Sequence, residues 1–380
     1  MSPEDLEWRA HLRARLLHIG SHQPQIAAQH EPPIRSSDPP LEALVEGQWV
    51  DGPDGRCFVS EHLYPLNYRH GELLLGAWND LPGDHWLPFV TNPAKRDFDP
   101  QRAVFFDLET TGLVRGTGTY AFLIGVGFFV DEGFFVRQHF MPSYAEEKAL
   151  LQSVAPDLAT HEGLVSFNGR SFDWPILHTR YIVSRCALPQ EGDLHLDLLP
   201  LARRLWRRTL TSCALSSLET SLLGVRRDSA DVPGFLIPEL YQQYIREGRT
   251  CPIARIFYHN AIDLLSMVTL ATKAGLALQA SLDPAEELPC DYLSLAILYE
   301  DLNRTEDALR AYSLAVEQPT SPAEAELASK RQTLLLKRLG RCDQAAELWR
   351  QRMNGTDLFP YIELAKYLEP VPRPGAGIVV

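Results

Sequence analysis

The run over residues 103–140, AVFFDLETTGLVRGTGTYAFLIGVGFFVDEGFFVRQHF, constrains this chain more than any other. AVFFDLETTGL reads as a strand with an abrupt polar end, and the remainder as two more strands joined by a turn at Asp131–Gly133. Aromatic and β-branched stretches of this length, bounded by Gly, Thr and Asp, suit strands better than helices. Such a meander needs apolar partners, and the sequence supplies them as alternating elements. SYAEEKALLQSVAPDLA is helical, and GLVSFNGRSFDWPILHTRYI is a buried strand, a loop and a helix. DLHLDLLPLARRLWRRTL is a strand end and a helix, and SSLETSLLGV a short helix opened by a capping box of Ser216 and Glu219. IFYHNAIDLLSMVTLATKAGLAL is a long helix. The order predicts an α/β fold, a mixed sheet flanked by helices, over residues 99–280.

At 380 residues the chain suits two or three domains. Residues 1–47 read as an N-terminal amphipathic helix and a Pro/Ser/His/Gln-rich linker, and 48–98 as a small β-rich region. Residues 285–370 become purely helical: paired amphipathic helices turn at Asn303–Arg304 and again at Gly340–Arg341, 37 residues later. That offset lies near the tetratricopeptide period of ~34. The aromatics Tyr299, Tyr312 and Trp349 stand at core spacing, and the tail 371–380 is expected to be disordered. No uninterrupted run of 18 apolar residues occurs and the N-terminus lacks a secretion signal, so no membrane role is expected. The six cysteines form no CxxC pair and are expected to be buried or inert, as in a reducing cytoplasm. A net charge of −13 argues against a nucleic-acid coat protein but is compatible with an enzyme whose site is itself acidic.

Three segments carry candidate chemistry. Asp107 and Glu109 stand two apart at a strand end, so both side chains share one face of the sheet. Carboxylates that close repel unless a divalent cation lies between them. Solvated loop acids produce the same DxE pattern, but the apolar strand and the TTGL turn favour the metal reading. Asp173 follows a buried strand in LVSFNGRSFDWPIL, where it also suits the cap of the helix opening at Trp174–Pro175. His259 and Asp263 are four apart and share a helix face, which lets an imidazole orient or deprotonate a water beside a metal-ligating carboxylate.

DLETTGL, FNGRSFDWPIL and HNAIDLLSM together resemble the DEDD 3′–5′ exonuclease superfamily, and in particular its YprB-type, RNase H-like branch. The stretches LARRLW, LSSLETSLLG, VPGFLIPELY and GTGTYAFLIGVG are similar to that branch, as is the helical-repeat tail, so the resemblance spans residues 48–370. It implies an RNase H-like sheet and hydrolysis of nucleic-acid phosphodiester bonds at a 3′ end. Asp107, Glu109, Asp173 and Asp263 would hold two Mg²⁺ or Mn²⁺ ions, with His259 as proton acceptor. One departure concerns the base: histidine members usually place it five residues before the last Asp and tyrosine members four, whereas here His259 is at four and Tyr258 at five. Both therefore remain candidates.

Around these, Arg203, Arg204, Arg207 and Arg208 form a basic stripe with Trp206 inside it, either a phosphate track or a solvated face. Arg203 and Arg207 are the candidate substrate contacts, with Thr110, Thr111 and Asn168; a plain turn explains the threonines equally well. Asp197 suits a cap or supporting group better than a ligand, and His161, His178 and His195 need no function. The helical repeats are a possible protein-binding surface. Two rival readings are a nucleic-acid-binding adaptor that keeps the fold without catalysis, and a structure-specific endonuclease.

Overall fold

The computed structural model describes residues 37–90, 98–112, 117–188, 194–282, 290–353 and 357–369. The expected N-terminal helix, the linker as far as residue 36, and the tail 371–380 lie outside the described residues.

The meander forms as expected. Ala103–Thr110 (β3) pairs antiparallel with Ala121–Val130 (β4), which pairs with Gly133–Phe140 (β5). Gly163–Ser166 (β6) adds in parallel beside β3, and His195–Asp197 (β7) in parallel beside β6. The expected separate β-rich region at 48–98 is not separate. Gln48–Gly52 (β1) and Gly55–Pro65 (β2) extend the same sheet, because β5 offers β2 a full ladder from Phe58–Phe140 to Pro65–Gly133. Left unpaired, β5 would have been a long exposed edge. The described sheet is seven-stranded in the order β1-β2-β5-β4-β3-β6-β7.

Along β3 the side chains alternate between two cores. Phe105 joins the cluster containing Trp78, Trp86, Leu264 and Met267, while Val104, Phe106 and Leu108 join that of Leu150, Val154, Tyr181 and Tyr241. This period of two sends Asp107 and Glu109 to the face of Phe105.

The helices Glu147–Thr160 (α1), Asp173–Val183 (α2), Leu198–Trp206 (α3) and Ile237–Glu247 (α4) cover the sheet together with Cys251–Gln279 (α5). By length and composition α5 would suit a membrane span, yet 78% of its most apolar window is buried inside the protein. It is the central core helix. The expected capping box at Ser216 does not form: Glu219 is buried and its carboxylate accepts from Arg227 and Ser266 instead. All six cysteines are free, but only Cys57 is buried and Cys251 is exposed, so burial does not hold for the set.

The C-terminal region is helical throughout its described residues: Tyr292–Asp301 (α6), Thr305–Glu317 (α7), Pro322–Arg338 (α8), Cys342–Gln351 (α9) and Phe359–Leu368 (α10). Asn303 and Gly340 both adopt left-handed backbone, at φ 57° and 74°. Arg304 N donates to Tyr299 O and Arg341 N to Leu336 O, each at 2.9 Å, so one helix-ending turn recurs at both sites. Tyr299, Tyr312 and Trp349 are buried between these helices. Arg204 and Arg208 at the end of α3 pair with Asp301 and Asp291, tying the two regions together.

One buried ion pair fixes the helix that begins at Asp173. Arg180, on α2, is 2% exposed and donates from Nη2 to Glu147 Oε2 of α1 at 2.7 Å, while Ser184 Oγ donates to the same carboxylate at 2.6 Å. Arg180 also bonds Glu147 through Nε, donates to Thr117 O and stacks on Tyr120. Removing one partner of such a pair strands a buried charge. Arg180→Ala should cost about 3–5 kcal/mol in urea unfolding, and Arg180→Met with Glu147→Leu distinctly less.

Candidate active site

The carboxylates converge from three elements. Asp107 and Glu109 come from the end of β3, Asp173 from the first turn of α2, and Asp263 from the middle of α5. Strand β3 ends in an irregularity of register between Glu109 and Thr110, where its pairing to β4 shifts. Gly169 precedes α2 because a Cβ there would stand 2.4 Å from Ser166 Oγ and 3.2 Å from Asp173 Oδ2. Glu109, His259 and Asp263 each present a ligand atom within 4.8 Å of the others.

Their electrostatics express crowding. Burial pushes Asp107 well above the usual carboxylate range, and the charges of Asp263 and Asp173 push it further. Glu109 is likewise raised by burial, then by Asp107, Asp263 and Asp173. Asp173 is pushed up to about 7 by burial and by neighbouring Asp197. Carboxylate oxygens with one imidazole, held together against their repulsion, are a donor set suited to a hard divalent cation. Among the described residues, the Glu109 side chain has no hydrogen-bonding or ion-pair partner, which leaves both its oxygens available.

The motifs gave no role to the residues that hold the acids apart and aligned. Asn260 donates from Nδ2 to Asp107 Oδ2 at 2.8 Å and is itself fixed by Gln138, whose Nε2 lies 2.8 Å from Asn260 Oδ1. Gly125 makes this possible, since a Cβ on it would meet Asn260 Oδ1 at 2.0 Å. Arg227 reaches in from the segment after Gly224. It donates to both Glu219 oxygens, at 2.6 and 2.7 Å, and to Asp263 Oδ1. Glu219 accepts in turn from Ser266 Oγ at 2.6 Å, and Ser266 contacts buried His70 Nε2 at 2.8 Å. Asn260 and Gly125 stand within the stretches HNAIDLLSM and GTGTYAFLIGVG without a role of their own there, and Glu219 matched a cap instead.

The other expected residues divide. His259 faces the cluster, with Nε2 3.5 Å from Asp263 Oδ2, whereas the Tyr258 hydroxyl turns away to accept from Asp228 N at 3.3 Å. Asp197 caps α3 through Leu199 N and accepts from Asn168 N at 2.8 Å and Arg170 N at 3.3 Å, the supporting part expected of it. Asn168 is left-handed at φ 66° and its side chain is exposed beside the Asp173 loop. Thr111 has no free N–H to offer a nucleotide: it donates to Tyr120 O at 2.9 Å, and Thr110 Oγ donates to Gly112 O at 2.8 Å. Arg203 and Arg207 are exposed and, among the described residues, pair with no acid and touch none of the site carboxylates.

Sheet order, flanking helices and acids at the end of β3 are those of an RNase H-like domain, and the family model of the RNase H superfamily matches residues 104–275. The chain belongs to the same family as the uncharacterized protein YprB of Bacillus subtilis (strain 168), with which it shares 31% identity over 328 residues, 83% of this chain and 77% of that relative. Among solved structures, the family B DNA polymerase of the hyperthermophilic archaeon Pyrobaculum calidifontis aligns with 58% of this chain at 18% identity and a TM-score of 0.39. The match spans only 30% of that polymerase and is too loose to inform activity.

The crowding has a measurable sign. Asp173 and its neighbours titrate higher folded than unfolded, so their contribution to stability is complete below about pH 4 and is lost as pH rises towards about 7 and beyond. A cation that binds the ionised form should return that stability over the same window. We expect the rise in Tm produced by Mn²⁺ to be clearly larger at pH 8 than at pH 5.5 in thermal-shift measurements. Equal rises at the two pH values would show that these carboxylates are not where the ion binds.

Proposed function

We propose that this protein is a cytoplasmic, metal-dependent 3′–5′ exonuclease that hydrolyses phosphodiester bonds of DNA or RNA. The observation that supports it most is the convergence of Glu109, His259 and Asp263 within 4.8 Å, beside Asp107 and Asp173, on an RNase H-like sheet. Asp107, Glu109, Asp173 and Asp263 would hold two Mg²⁺ or Mn²⁺ ions. Bound there, such ions supply an acidified water and charge stabilisation at the leaving 3′ oxygen.

The chain's own part is to bind, align and accept a proton. Asn260 presents Asp107 with one oxygen already committed, so the carboxylate is oriented before any ion arrives. Arg227, anchored by a buried carboxylate, restrains Asp263 and offsets part of the negative charge that would repel a phosphate. His259 is suited to take the proton of the attacking water through Nε2. Asn168, beside the Asp173 loop, and the exposed Arg203 and Arg207 remain candidate strand contacts, and the helical C-terminal repeats a candidate protein-binding surface.

End-labelled single strands, duplexes and circles of DNA and RNA, incubated with Mg²⁺ or Mn²⁺, test this directly. Stepwise shortening from the 3′ end that stops with a chelator is the expected result. Cleavage of circles would make the protein an endonuclease, and tight binding without cleavage an adaptor. Asp107→Ala should leave less than a tenth of wild-type activity. His259→Ala should lower turnover by ~10²–10⁴-fold and Tyr258→Phe only slightly. The reverse ranking would assign the base to Tyr258.

A further inference from the structure

We infer that Asp231 is a positioning residue that decides which nitrogen of His259 carries the proton and which faces the carboxylates. The inference rests on the reading of His259 as proton acceptor and adds a residue to it. His259 Nε2 lies 3.5 Å from Asp263 Oδ2, on the side of the acidic cluster. Two groups of opposite character compete for the other nitrogen. Asp231 Oδ1 stands 2.7 Å from Nδ1, and Arg227 Nη1 stands 3.0 Å from it.

Distance and charge decide this competition for the neutral ring. A guanidinium only donates and an ionised carboxylate only accepts. Nδ1 therefore either accepts from Arg227 or donates to Asp231. A bare Nδ1 lone pair would face a carboxylate oxygen at 2.7 Å, which is repulsive, whereas Nδ1–H makes a short charge-assisted bond there. Arg227 does not depend on Nδ1: it is held by Glu219 and Asp263, and its Nη1 also lies 3.6 Å from Asp231 Oδ1. In the neutral ring the proton thus sits on Nδ1, which leaves the Nε2 lone pair towards Glu109 and Asp263. Without Asp231, the arginine is the nearest remaining partner of Nδ1 and donates to it. The ring then carries its hydrogen on Nε2, where it can no longer accept one.

The loop that carries Asp231 is fastened to the same helix as the ring it orients. Arg255, one turn before His259, donates to the carbonyls of Ser229, Ala230 and Asp231 at 3.3, 2.8 and 2.6 Å. Tyr258 accepts from Asp228 N, so the tyrosine buttresses this loop. The backbone of Asp231 is thereby tied to the helix that carries His259.

The tautomer can be read without any substrate. In the full chain labelled with ¹⁵N-histidine, free of metal and at about pH 8.5, two-bond ¹H–¹⁵N spectra report the protonated nitrogen, with His259 assigned by its loss in His259→Gln. Protonation at Nδ1 is expected in the wild type and at Nε2 in Asp231→Ala. With Mn²⁺ and a 3′-labelled oligonucleotide, Asp231→Ala should lower kcat at least tenfold while KM and the Mn²⁺-induced rise in Tm stay unchanged. Asp231→Asn, which keeps an acceptor oxygen in place, should recover a large part of that loss. Any other wild-type ring state, or a tautomer unmoved in Asp231→Ala, overturns the inference, as does a kcat loss accompanied by loss of the Mn²⁺ response. A tautomer switch in a protein that cleaves no nucleic acid would sink the nuclease reading and leave the role of Asp231 in orienting the ring supported.

Discussion

Burial and neighbouring carboxylates, Asp263 among them, raise the affinity of Asp107, Glu109 and Asp173 for protons, and much of the surrounding structure serves to hold them there. An acidic cluster of this kind does not assemble by itself, since each carboxylate gains by moving apart or into water. The sheet fixes two of the acids through the period-2 geometry of a single strand. The third sits at the start of a helix whose far end is clamped by the Arg180–Glu147 pair, and the fourth rides on α5, the long core helix. Backbone elements whose own cores are fully packed can bear that repulsion; loops could not.

Neutralising hydrogen bonds complete the arrangement. Asn260 and Arg227 each commit one oxygen of a site carboxylate, and each is held from behind, by Gln138 and by Glu219. Glu219 is 1% exposed, so its charge is tolerable only with Arg227 in place. Arg227 is thereby kept at the site by an interaction that lies outside it. The same arginine approaches His259, which links the orientation of the imidazole to the loop carrying Asp231.

Much of this was legible in the sequence, for a local reason. Alternation in AVFFDLET places Asp107 and Glu109 on one face whatever the rest of the chain does, and the helical period places His259 over Asp263. That His259 and not Tyr258 faces Asp263 also follows from that period: residues one apart on a helix differ by about 100°. The recurrence of a left-handed turn at Asn303 and Gly340 was visible as a 37-residue offset because such turns have a strong residue preference.

What the sequence left undecided depended on contacts between residues far apart in the chain. Strands β1 and β2 looked like an independent region because pairing partners are not written in a strand; only the free edge of β5 recruited them. Glu219 matched a capping pattern, yet a buried arginine eight residues later and a serine on α5 offered its charge more than a helix end does. Arg227 and Asp231 lie in no motif, and Gly125 stands in a family-like stretch that gave it no role. The sequence by itself determined which acids share a face, because local backbone geometry sets that. Only the tertiary structure decided what orients them, because hydrogen bonds and charge compensation act through space, between side chains whose separation along the chain carries no signal.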